Sequence, residues 1–82
     1  MDYQVCWNDL DEAHYQEDWL RVIHHAETLL NWLKSGGTPP QVPELSEIPA
    51  AAANKIVKAL CVDLLIEAKS RLNLEYRDNI TH

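Results

Sequence analysis

Cysteine, glycine and basic side chains are all scarce in this chain of 82 residues, and no long apolar run occurs. Each shortage excludes something. Two cysteines, Cys6 and Cys61, close at most one bridge and have neither metal-knuckle spacing nor the density of a secreted disulfide scaffold, so a reduced setting is expected. No apolar stretch approaches the roughly 20 residues of a membrane span, and Met1-Asp2-Tyr3-Gln4 carries acid where a signal peptide carries base. A cytoplasmic protein without membrane contact is therefore expected. Seven Lys and Arg face 13 Asp and Glu, for a formal net charge of -6. The bases Lys55, Lys58, Lys69, Arg71 and Arg77 are interspersed with acids and form no stripe for phosphate contacts, which argues against direct nucleic-acid binding. Both glycines fall in Ser35-Gly36-Gly37-Thr38, which follows a helical pattern and lacks the lysine of a phosphate loop.

What is present is a folding composition: 46% hydrophobic and 24% charged residues, far from a disordered profile. A chain of this size buries only roughly 60% of the surface its unfolded form exposes, so self-association would compensate for a thin core.

The pattern predicts an all-α fold, an antiparallel hairpin of two long helices joined by a Pro/Gly-rich loop. Helix one is expected over about 9–34, capped by Asn8 or Asp9 and closed before Gly36 and Gly37. At about 100° per residue, Tyr15, Trp19, Val22, Ile23, Ala26, Leu29, Leu30 and Leu33 share one stripe roughly 120° wide. The loop covers about 35–47 and includes Pro39, Pro40 and Pro43. Helix two is expected over about 48–73, capped by Ser46, with a short tail at 74–82. Its main stripe is Ala53, Val57, Leu60, Cys61, Leu64, Leu65, Ala68 and Leu72.

A further set, Ala52, Ile56, Ala59 and Ile66 with Val62 nearby, runs along another side of helix two. One partner helix cannot cover both sides. A dimer is expected through Ile56, Ala59, Val62 and Ile66, with the second helices central in a four-helix bundle. Asp63 falls within that seam and needs a basic partner there, or a place at its rim.

The sequence carries no catalytic motif and calls for no cofactor, so a non-enzymatic protein is expected. Cys61 sits on an apolar stripe, as a small hydrophobe would. His14, Asp18, Arg21, His25 and Trp32 share another face of helix one, and His14, Asp18 and His25 have metal-ligand chemistry, yet one helix rarely completes a coordination sphere. Seven of the acids lie in the first 34 residues against two bases. With Trp7, Leu20 and Trp32, the acids Asp9, Asp11, Glu12, Glu17 and Asp18 form a candidate partner-binding surface, since tryptophan anchors many interfaces. Alternatively, Trp7 and Trp32 simply fold back on the hairpin and its loop. The function these features favour is a small acidic interaction module that binds another protein and regulates or inhibits it. A nucleic-acid mimic of the anti-defence type, docking in the basic groove of an enzyme, is the alternative. An oligomer holding a metal or small ligand, the latter through Arg21, Lys55, Lys58 and Arg71, is a third.

Overall fold

The computed structural model describes the backbone of residues 3–80 and the side chains of residues 3–73. Three α-helices succeed one another: α1 over Tyr3–Tyr15, α2 over Trp19–Lys34 and α3 over Ala50–Ile80, with a short 3-10 turn at Pro43–Leu45. Among the described residues there is no strand. The fold is all-α, but it has three helices in place of the two long ones expected.

The expected helix over 9–34 is broken at residues 16–18, and α1 starts six residues earlier. The break is a Schellman turn: Asp18 N–H donates to Ala13 O at 2.9 Å and Glu17 N–H to His14 O at 3.1 Å. Glu17 holds the left-handed conformation (φ 56°) that such a turn usually gives to glycine. Asp18 then caps α2, its carboxylate accepting from Arg21 N–H at 3.5 Å. A left-handed glutamate costs about 1 kcal/mol. Glu17→Gly is therefore expected to stabilise the protein by about 0.5–1 kcal/mol, raising the melting temperature by about 3–6 °C in thermal circular dichroism. A lower melting temperature would count against strain at this turn.

The break also resets helical phase. Tyr15, expected in the core stripe, is 89% exposed, whereas Trp19 beyond the break is buried. Asn8 and Asp9 do not cap a helix but lie inside α1, which brings Trp7 and Cys6 into it as well.

Helix α2 is the centre of the packing, antiparallel to both neighbours. Toward α1, Tyr3 stacks on Trp32 with centroids 4.2 Å apart, and the Cys6 thiol donates to His25 O at 3.5 Å. Toward α3, Arg71 lies 5.8 Å from the Trp19 ring, Lys69 pairs with Glu27 at 3.9 Å, and Asn54 donates to Gly37 O at 3.2 Å. The core joins Leu10 and Ala13 of α1, Val22, Ala26, Leu29 and Leu33 of α2, and Val57, Cys61 and Ala68 of α3. Complete burial of each Val or Leu contributes roughly 1.5–3 kcal/mol.

A second Schellman turn ends α2, with Gly37 N–H donating to Trp32 O at 2.9 Å, Gly36 N–H to Leu33 O at 3.2 Å, and Gly36 left-handed at φ 91°. The connection that follows is tied to α1 by a two-point clamp: Gln41 N–H donates to Gln4 Oε1 at 2.6 Å, and Gln4 Nε2 donates to Gln41 O at 3.1 Å.

The expected loop of 35–47 extends to Pro49, because α3 begins at Ala50 and not near 48. Ser46 is not the cap of α3. It closes the 3-10 turn, its N–H donating to Pro43 O at 3.3 Å. The expected tail at 74–82 is also corrected, since α3 continues to Ile80. At about 1.5 Å per residue α3 is about 46 Å long, against about 24 Å for α2, so it outruns its neighbour.

Candidate functional site

Among the described residues, exposed apolar side chains gather on two surfaces, apart from Val5 on α1. The larger belongs to α3. On that helix Ala53, Val57, Cys61 and Ala68 are buried against α2. At about 100° per residue, Ile56, Ala59, Val62 and Ile66 centre on the diametrically opposite side. Ile66 is 63% exposed, Val62 42% and Ile56 36%, and Ala59 is exposed between them. These are the four residues expected at a dimer seam. Leu60, expected in the main stripe, lies at the seam's margin and is exposed. Such a contiguous apolar strip is uncommon on a small monomer. Asp63 and Lys55 sit within it, both exposed, and neither has an ion-pair partner among the described residues.

The second surface is the corner where α1 turns into α2. Tyr15 and Leu20, the latter 70% exposed, flank the turn, with Asp11, Glu12 and Glu17 exposed near them. Among the described residues none of these three acids has an ion pair; Glu12 accepts from Gln16 Nε2 at 3.3 Å. Tyr15 and the turn itself were missed in the sequence. The signal was Asp18, a good N-cap residue directly before Trp19, overlooked because helical periodicity seemed to continue through it.

The other proposed partner-binding residues are placed differently. Trp7 is half-buried and packs against the core. Trp32 is half-buried too, stacked on Tyr3 with its indole N–H donating to Thr38 O at 2.9 Å. Asp9 and Asp18 are half-buried. Asp2, one of the N-terminal acids, lies outside the described residues.

The three candidate metal ligands are each engaged elsewhere. His14 Nε2 is 2.7 Å from Glu67 Oε1 on α3, Asp18 caps α2, and His25 Nδ1 lies 3.9 Å from Cys6 Sγ. No group of three metal-ligating side chains converges among the described residues. The cations considered for a small ligand also diverge: Arg21 lies 3.8 Å from Asp18, Arg71 covers Trp19, and Lys55 and Lys58 line an open groove of about 480 Å³ between the end of α2 and the start of α3.

Both cysteines are free and buried. Burial, reinforced by Cys6, pushes the Cys61 thiol up to about 11, and burial with nearby Asp9 raises Cys6. Both thiols are therefore protonated at neutral pH and poorly nucleophilic. Beside these buried thiols, the described residues expose an apolar strip on α3 and an acidic corner with two apolar side chains. The chain matches no protein-family model, no curated protein and no solved structure.

Proposed function

We propose that the protein is a non-enzymatic interaction module whose binding face is the outer side of α3. The observation that carries this reading is the apolar strip of Ile56, Ala59, Val62 and Ile66, which lies opposite the buried face of the same helix and stays exposed among the described residues. A helix apolar on two opposite sides needs two partners, and α2 supplies one. A bundle of four helices on this face would draw α2 and α3 from each of two copies, or use a helical pair from a partner protein. Binding there would regulate the partner by occupying its surface.

Ile66→Glu tests this. The residue is mostly exposed, so helicity and melting temperature of the monomer are expected to stay within a few degrees of wild type, while association through α3 weakens at least tenfold, about 1.4 kcal/mol. Light scattering reads self-association, and cross-linked complexes from native cells read partners. Association of either kind that is unchanged by Ile66→Glu would refute the assignment of this face.

A second reading is favoured by the unpaired acids Asp11, Glu12 and Glu17 around Tyr15 and Leu20. In it the corner docks on a basic groove, as a nucleic-acid mimic does, and attraction falls steeply with salt. A complex indifferent to salt and to neutralisation of these three acids leaves the α3 face as the sole binding surface.

A further inference from the structure

We infer that the occupant of the α3 face is a second copy of the same chain, laid antiparallel with its two-fold axis at Ala59. This rests on the reading of α3 as the binding face and goes beyond it by fixing partner, direction and register. Seven residues of this face, all exposed but the half-buried Ala52, are arranged symmetrically about Ala59. Seven positions to either side stand Ala52 and Ile66, four positions to either side Lys55 and Asp63, and three positions to either side Ile56 and Val62. At about 100° per residue, all six lie within about 60° of Ala59, so they form one continuous strip centred on it.

An antiparallel pair about that axis sets each side chain at the level of its counterpart across the interface. Ile66 meets the small Ala52, Ile56 meets Val62, and Asp63 meets Lys55, each contact occurring twice by symmetry. Both charges, without an ion-pair partner among the described residues, then find opposite partners. Their Cβ atoms come within reach of a charge-assisted hydrogen bond when the helix axes are about 8–10 Å apart, a spacing that alanine at the centre permits. The parallel alternative sets Lys55 against Lys55 and Asp63 against Asp63 and leaves the charges repelling. Charge complementarity thus selects both self-pairing and its direction. It also gives Asp63 a role in an apolar strip where an unmatched carboxylate would oppose burial. A strip about 21 Å long on one helix is smaller than a standard interface of about 800 Å² per partner, so the expected affinity is micromolar.

The test uses the full chain at about 1–200 μM, spanning micromolar dissociation. Sedimentation equilibrium is expected to show twice the 9.4 kDa monomer at the upper end. Lys55→Glu and Asp63→Lys alone each weaken dimerisation about tenfold or more, and the double reversal restores it to within about threefold of wild type. One cysteine added at the surface, beside the two buried ones, reads the register. Ala59→Cys is expected to cross-link two chains with oxidised glutathione, because the axis brings the two positions together. Ser70→Cys, exposed on the same face, is not, because its copies lie about 33 Å apart along an antiparallel pair. Wild type, with both cysteines buried, is the blank. Cross-linking through Ser70→Cys, or no rescue in the double reversal of a folded variant, overturns the register. A chain monomeric at every concentration overturns self-pairing. If that monomer still loses a captured partner on Ile66→Glu, the α3 binding face itself survives.

Discussion

Replacing Leu29 with alanine is expected to cost about 3 kcal/mol of folding free energy and to lower the melting temperature by about 12–24 °C. Leu29 lies in the second half of α2, is fully buried, and belongs to the core cluster that joins all three helices. A cavity there cannot be filled by moving one helix without disturbing another. At roughly 0.05–0.15 kcal/mol per residue, a domain of this size has only about 4–12 kcal/mol in total, so one such deletion removes a large share. Thermal circular dichroism at one fixed concentration checks this, since coupling to association shifts the midpoint with concentration. Leu20→Ala is the matched control: on the same helix but 70% exposed, it is expected to change stability by less than about 0.5 kcal/mol. Equal losses for the two variants would show that α2 is not the centre of the core.

The second large effect is expected at Gly37. A Cβ at this position falls inside the indole ring of Trp32, against Cε2 and Cδ2, with no intervening space. Trp32 cannot yield freely, because its other face is stacked on Tyr3 at an interplanar angle of 6° and its N–H is bonded to Thr38 O. Gly37→Ala is therefore expected to cost about 2 kcal/mol and to detach the start of α1 from α2. The adjacent Gly36, left-handed with open space around it, would suffer from backbone strain and not from collision. Near-ultraviolet circular dichroism separates the cases: Gly37→Ala loses the aromatic signal of the stacked pair, whereas Gly36→Ala lowers stability and keeps it. A Gly37→Ala variant with intact aromatic signal and unchanged melting temperature would contradict this packing.

The helical class and much of the core on α2 and α3 were legible in the sequence. Val22, Ala26, Leu29, Leu33, Val57, Cys61 and Ala68 recur at helical spacing, and the glycines after Lys34 give an unambiguous stop. The turn at 16–18 was not legible, because its left-handed position is occupied by glutamate instead of glycine and periodicity continues on both sides. That turn accounts for the misplacing of Tyr15. The extra strip on α3 was readable because Ile56, Ala59 and Ile66 keep helical spacing on a second side. Its symmetry about Ala59 emerged only once Lys55 and Asp63 were seen to be exposed and unpaired. Trp32 shows the opposite case: its phase away from the stripe fits either a partner anchor or a side chain folded back on the loop, and only the fold brings Tyr3 to it from 29 positions upstream.

The two buried thiols have a use that has nothing to do with chemistry in the cell. Cys6 is carried on α1 and bonded to α2, Cys61 is carried on α3, and both are buried in the one core that the three helices share. Because burial keeps both protonated, a thiol-directed reagent labels each sulfur only while its own helix is away from α2. The order of labelling then becomes a clock for the opening of this small fold. Cys6 times the loss of the α1–α2 contact and Cys61 the opening of the core beside α3, with no residue changed to install the probe.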